Sequence, residues 1–239
     1  MPPKRQQRQQ RRNFASQSAL VNYLQHEQKI ITDNRVANAM KAVDRADFTD
    51  IMPHQDAPQS IQYEATISAP HIHAYALQQL NPNPGAKVLD IGSGSGYLLP
   101  AFAQLVGRNG KVIGIEHIKE LCIKSYRNIQ KHHQNQLDNK TIRIFWGDGR
   151  CGYEKEAPYD AIHIGAATPV RIVNRLVKQL KPGGKMIVPV IVKTGEKLRL
   201  YTKHNDGTVS FQHLSNVTYV ALTSEAEQRQ GKGKSSSRR

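Results

Sequence analysis

Three acids and a run of alternate glycines are the residues of this 239-residue chain whose types and spacing could do chemistry. Asp90 sits inside the end of the apolar run Val88-Leu89-Asp90-Ile91, and Gly92-Ser93-Gly94-Ser95-Gly96 follows directly. Glycines allow positive φ and let a ligand approach the backbone with no Cβ in the way. The helix expected from Leu98 to Val106 would present free N–H groups at its start. The spacing is G-x-G-x-G, not the G-x-G-x-x-G of dinucleotide sites, and an ordinary glycine-rich turn would also fit it. Asp90 argues against the ordinary turn, because a carboxylate at the end of a buried strand needs a partner. Two further apolar runs end in Glu116-His117 and in Gly147-Asp148-Gly149. Glu116 is placed to accept both hydroxyls of a ribose, and Asp148 to accept from an adenine amino group. A fourth run ends in Gly165-Ala166-Ala167-Thr168, which is nearly bare and leaves room for a second substrate.

Upstream, Ala65-Thr66-Ile67-Ser68-Ala69-Pro70-His71 leads into another helical pattern through Tyr75 and Leu80. Pro70 suits the first helical position, where its missing N–H costs nothing. Ser68 then reads equally as a helix cap or as a hydroxyl that holds a carboxylate beside free N–H groups. His71 and His73 do not make a metal site, since residues two apart on a helix diverge and no Cys or His cluster completes a ligand set.

The elements that must position these residues follow from periodicity. Strand-like runs are expected at 88–91, 112–115, 142–146, 161–164 and 186–190, with helices at 98–106, 121–129 and 170–180 between them. This alternation implies an α/β, Rossmann-like, doubly wound and mostly parallel sheet. Lys181-Pro182-Gly183-Gly184 is a helix stop. Runs at 198–202 and 217–222, broken by Asn205-Asp206-Gly207, suggest an antiparallel C-terminal hairpin. Two earlier helices, one capped by Ser16 and one started by Thr32 or Asp33, form an N-terminal helical cap. Ligands of such sheets bind outside the carboxyl ends of the strands, where the acids and glycines converge.

These motifs together resemble the class I S-adenosylmethionine-dependent methyltransferases. Within them they are similar to the protein-L-isoaspartate (D-aspartate) O-methyltransferases. The closer likeness rests on Ala65–His71, Val88–Gly96, Gly147-Asp148-Gly149-Arg150, Ala157–Ala167 and Leu180–Gly184, and it runs from about Ser16 to Thr223. It implies a repair enzyme that methylates the free α-carboxylate of L-isoaspartyl and D-aspartyl residues in damaged proteins. The ester would then close to a succinimide unaided and reopen in part as normal aspartate. The resemblance assigns Ser68 to the carboxylate. It places Ala65, Thr66, Ile67, His73, Asp90, Gly92, Ser93, Gly94, Glu116, His117, Gly147, Asp148, Gly149 and Thr223 around S-adenosylmethionine and its product S-adenosylhomocysteine. Three departures stand out, the first being Val220-Ala221-Leu222 where common relatives read Val-Pro-Leu. Gln62 replaces a usual glycine, which predicts a loop of different shape before Ser68, and Glu64 replaces a common glutamine.

The chain carries 34 Lys and Arg against 19 Asp and Glu, for a formal charge of +15. Ten of the basic residues cluster at the ends: Lys4, Arg5, Arg8, Arg11 and Arg12, then Arg229, Lys232, Lys234, Arg238 and Arg239. Residues 1–13 and 225–239 are therefore expected as disordered basic tails around a methyltransferase domain at 14–224. Mobile positive charge is open to polyanion or nucleic-acid contact. No apolar run reaches the roughly 18 residues of a membrane span. With Cys122 and Cys151 alone, no disulfide framework is available, which suits a reducing compartment such as cytoplasm or nucleus; a monomer is expected. A non-catalytic cofactor-binding adaptor and a nucleic-acid methyltransferase are the alternatives. The second is weakened because no Asn/Asp-Pro-Pro-aromatic motif follows the fourth strand and no Pro-Cys nucleophile occurs.

Overall fold

Asp90 and the glycine turn stand at the centre of a sheet whose order explains why the acids meet. The computed structural model describes residues 12–231. Helices α1 (Gln17–Asn22) and α2 (Asn34–Lys41) come first, capped by the side chains of Ser16 and Asp33 on the N–H groups of Ala19 and Arg35. A short antiparallel ribbon of β1 (Gln59–Gln62) and β2 (Ala65–Ile67) leads into α3 (Pro70–Leu80). The alternating part runs β3 (Lys87–Ile91), α4 (Leu98–Val106), β4 (Lys111–Glu116), α5 (Lys119–Asp138), β5 (Ile142–Trp146), β6 (Tyr159–Ile164), β7 (Thr168–Pro169), α6 (Val170–Leu176) and β8 (Leu180–Val192). Strands β9 (Gly195–Lys203) and β10 (Val209–Val217) close the sheet, and α7 (Glu225–Arg229) follows.

The large sheet has the order β10-β9-β8-β6-β3-β4-β5, with β7 paired to β8. From β3 the chain winds outward to β4 and β5, then returns to the other side of β3 as β6. Strand order therefore reverses between β3 and β6, the place where open sheets form a crevice. Strands β3, β4, β5, β6 and β8 pair in parallel, while β9 and β10 are antiparallel.

Alternation along the strands divides the core into two layers. Val88, Val112 and Ala161 pack with Leu77, Leu99, Phe102 and Leu121 from α3, α4 and α5. Leu89, Ile91, Ile113 and Ile162 pack on the other face with Val173 and Leu176 of α6. Each fully buried side chain of this size contributes about 1.5–3 kcal/mol relative to exposure.

Three expectations are corrected. The strand foreseen at 217–222 lies instead at 209–217, immediately after the Asn205–Gly207 turn, where the chain can pair back on β9. Residues 218–222 leave the sheet and return to the site, touching it through one parallel bridge between Ala167 and Ala221. The helix foreseen at 170–180 stops at Leu176, continues as a short 3-10 turn, and yields to β8 at Leu180. Residues 225–229, expected within a tail, form α7, because Ser224 and Glu227 make a reciprocal capping box. Arg229 is tied to Glu120 at 2.6 Å and Glu225 at 2.9 Å. At the other end, Asn13 bridges to Gln55. The remaining tail residues, 1–11 and 232–239, lie outside the described residues. No helix among the described residues is long and apolar enough to cross a membrane.

Candidate active site

The carboxyl ends of β3, β4 and β6 and the ribbon β1–β2 enclose a cleft with two compartments. The larger, about 530 Å³, is bounded by Glu116, His117, Gly149, Ala65 and the segment Val220–Thr223. The deeper, about 350 Å³, is bounded by Ser68, His73, Asp90, Ser93 and His163. Thr66, Gly92, Gly94 and Gly165 line both and join them.

At the seam, Gly94 has φ +53 and its N–H donates to Glu116 Oε2 at 2.9 Å. The other oxygen of Glu116 accepts from Ile118 N–H at 2.8 Å. Burial pushes the Glu116 carboxyl above its ordinary range, against the pull of these N–H groups and of His117. A polar ligand reaching into this compartment therefore meets a fixed, buried acceptor. Gly165 is required by close approach. A Cβ there would lie 3.0 Å from the Gly92 carbonyl, across the strand reversal.

Asp90 is 2% exposed. Its partner is His163, directly opposite in the register of β6, with Nδ1 at 2.6 Å from Asp90 Oδ1. His73 stacks on Tyr97 with centroids 5.0 Å apart, and burial and the nearby Arg45 cation push its pKa well below the ordinary histidine value. It is thus neutral at pH 7. Arg45 is fully buried, its own pKa lowered to about 10 by burial. His71 turns away to Asp56, at 2.8 Å.

Of the fifteen residues expected at the site, all but Gly147 and Asp148 line the cleft. Asp148 follows β5 as foreseen, but its carboxylate takes the Arg150 guanidinium, at 2.6 Å from Nη2, and the Arg150 N–H. Burial alone would raise the Asp148 carboxyl; the Arg150 bonds outweigh it and hold the pKa below the ordinary value. Ser68 is not a helix cap. The N-cap position is Ala69, which makes no side-chain cap bond.

This constellation matches a known pattern. The sequence model described as protein-L-isoaspartate(D-aspartate) O-methyltransferase matches residues 15–227. The chain belongs to that family. It is 44% identical over 220 residues to the protein-L-isoaspartate O-methyltransferase of Caenorhabditis elegans, covering 91% of this chain and 97% of that one. It is 46% identical to protein-L-isoaspartate O-methyltransferase 1 of Arabidopsis thaliana, covering 89% and 94%. Among solved structures, a Plasmodium falciparum protein-L-isoaspartate O-methyltransferase in complex with S-adenosyl-L-homocysteine superposes with a TM-score of 0.81. That pair is 32% identical, covering 88% of this chain and 99% of the other.

Against the family pattern, Gln62 keeps a glycine-like backbone, with φ +78. Glu64 is exposed. Several cleft residues were not read from the sequence. His163 looked like one more position in an apolar strand, although a buried imidazole aligned with a buried acid is the signal that could have found it. Gln228 lay in the supposed tail. It is 9% exposed; its Oε1 pairs with His117 Nε2 at 2.7 Å, and its Nε2 donates to the Tyr63 carbonyl at 2.8 Å. Val220 and Leu222 were assigned to a strand and instead roof the larger compartment.

Proposed function

We propose that this family member transfers the methyl group of S-adenosylmethionine to the free α-carboxylate of L-isoaspartyl and D-aspartyl residues in damaged proteins, and that Ser68 holds that carboxylate. The observation that carries the reading is the joined cleft: Ser68 lies in the compartment of Asp90 and Ser93, which opens through Gly92 and Gly94 onto that of Glu116.

The residues fit the cofactor. Ser93 Oγ is buried in the cleft without a protein partner, which is costly unless a ligand satisfies it. Glu116 would take the ribose hydroxyls, and Gly149, His117, Ala65 and Thr223 the rest of the adenosyl group. Thr66, Ile67, His73, Asp90 and Ser93 would hold the amino-acid end. When bound, S-adenosylmethionine supplies a methyl group on a positively charged sulfur. The chain's own share is placement. An α-carboxylate is ionised at pH 7 and needs no general base, so rate comes from fixing its oxygen in line and partly dry. The Ser68 hydroxyl can donate one hydrogen bond to the non-attacking oxygen. The neutral His73 neither protonates the acceptor nor competes for it. The bare end of β6 leaves the space through which a peptide backbone enters.

The same reading extends the catalytic unit through α7 and treats the chain as a monomer of cytoplasm or nucleus, with termini open to polyanions. An intact acceptor set around the cleft weighs against a non-catalytic adaptor. The test is tritiated methyl transfer from S-adenosylmethionine to an isoaspartyl peptide, its normal aspartyl twin and RNA. Base-labile label on the isoaspartyl peptide alone is expected. Ser68→Ala should lower kcat/KM by roughly tenfold or more while S-adenosylhomocysteine affinity stays within about twofold. Equal losses in both would make Ser68 structural and sink its assignment.

A further inference from the structure

Arg45 opens the 3-10 turn Arg45–Asp47 after α2, and its side chain is fully buried. A cation so placed is costly unless its donors find partners. Its Nε has none, Nη2 donates to the Ala57 carbonyl at 3.5 Å, and Nη1 lies 3.5 Å from His73 Nδ1. The carboxylate of Asp56, whose field reaches the guanidinium, bonds the ring of His71 at 2.8 Å instead. Arg45 is thus aimed at a ring rather than at an acid. Tyr97 supports both groups: the guanidinium carbon is 5.7 Å from its centroid, and His73 stacks on it at 5.0 Å. Gln17 of α1 ties the assembly together. Its amide donates to the Tyr97 hydroxyl at 3.2 Å and the Met40 carbonyl at 2.8 Å, and accepts from the Arg45 N–H at 3.4 Å.

We propose that Arg45 is a positioning residue that fixes His73 as an Nε2–H donor for the carboxylate at the amino-acid end of S-adenosylmethionine. The inference rests on the placement of His73 beside that end made above. A guanidinium has donors and no lone pair to offer. His73 Nδ1 must therefore accept, and a neutral imidazole that accepts at Nδ1 carries its proton at Nε2. Burial and the adjacent cation keep the ring from taking a second proton. Arg45 itself, lowered to about 10, stays charged at pH 7. His73 borders the deeper compartment together with Ser68, Asp90 and Ser93. The carboxylate of Asp90 repels a second carboxylate and suits the ammonium group of the same amino-acid end. His73 Nε2–H is the matching donor, and the charge behind it strengthens that donor without entering the cleft. Through Arg45 and Gln17 the N-terminal helical cap reaches the cofactor.

The test uses the full-length protein as wild type, Arg45→Met, His73→Ala and the double variant. Arg45→Met keeps the length of the side chain and removes its charge and donors, an exchange that buried sites often tolerate. Kd is measured for S-adenosylhomocysteine and for methylthioadenosine, which has the adenosyl thioether but no amino-acid end. Nitrogen NMR of the histidine-labelled free protein reads the His73 tautomer at pH 7, with its signals assigned by their loss in His73→Ala. Wild type should show one neutral ring protonated at Nε2, a reading that needs no Arg45 variant. Arg45→Met should lose that single state and bind S-adenosylhomocysteine about three- to tenfold more weakly, with methylthioadenosine within about twofold. In the His73→Ala background the same change should add less than about twofold. A wild-type His73 protonated at Nδ1, or at both nitrogens, overturns the proposal. Equal weakening of both ligands overturns it by showing a structural role for Arg45. Unaltered S-adenosylhomocysteine binding in Arg45→Met, with His73→Ala impaired, overturns the role of Arg45 and leaves that of His73 standing. Unimpaired binding in His73→Ala removes the premise itself. None of these readouts uses peptide methylation, so a failure of the proposed methyl acceptor is seen separately.

Discussion

Gln62 sits at φ +78 in the turn between β1 and β2, and Tyr63 at +52 and Glu64 at +56 follow it. Three consecutive side-chain-bearing residues in the left-handed region is an unusual load for one turn, and each costs about 1–2 kcal/mol relative to a relaxed backbone. Replacing Gln62 by glycine removes one such penalty. Glycine loses more freedom on folding, by about 0.5–1 kcal/mol. The Gln62 side chain is exposed, so little packing is lost. The net expectation is a gain of about 0.5–1 kcal/mol, which for a fold of this size raises Tm by roughly 1–4 °C. Scanning calorimetry of Gln62→Gly against wild type measures it. Tyr63→Gly is the internal control. It relieves the same strain but removes the ring under the Arg229 guanidinium, 5.6 Å away, and should show no gain. A fall in Tm for Gln62→Gly would refute the reasoning, since it would mean the turn is held by the glutamine rather than strained by it.

Gln228→Ala removes the bonds from α7 to His117 and to the Tyr63 carbonyl, together about 2 kcal/mol. S-adenosylhomocysteine Kd should rise about tenfold by titration calorimetry, and a change under twofold would show that α7 does not roof the occupied cleft. The His73 pKa lies below its unfolded value, so the unfolded chain binds the extra proton first as pH falls below about 6.5. Stability should therefore decline on acidification by up to about 1.4 kcal/mol per pH unit from this group. His73→Gln should show a shallower decline in urea unfolding between pH 7 and pH 5. An identical slope would mean that His73 is not buried neutral.

Much of this molecule was legible from its residues. The apolar runs with an acid or glycine at the end located β3, β4, β5 and β6; β3 and β4, buried on both faces, write themselves as nearly continuous hydrophobicity. The same logic failed at 217–222. Val220 and Leu222 are apolar because they roof a cleft, and a roof and a strand bury side chains alike. The true edge strand, 209–217, is largely exposed and mixes Val209 and Phe211 with polar residues, so it carried little signal. Residues 225–231 were misread for a different reason. Their composition is that of a solvated tail, yet a capping box and ion pairs between side chains suffice to fix one turn of helix. Asp148 stands at the strand end expected of it, but its Arg150 partner is local in sequence and was not weighed.

The bond between Gln228 and the Tyr63 carbonyl spans 165 residues of sequence. During synthesis the ribbon before Ser68 emerges well before its roof. At about 5–20 residues per second, that gap lasts roughly 10–30 s. For that interval the sheet can form but the cleft stays open on one side, with His117 lacking Gln228. A product cut short anywhere before Val220 would retain the glycine turn and the acids yet lack the roof of the larger compartment.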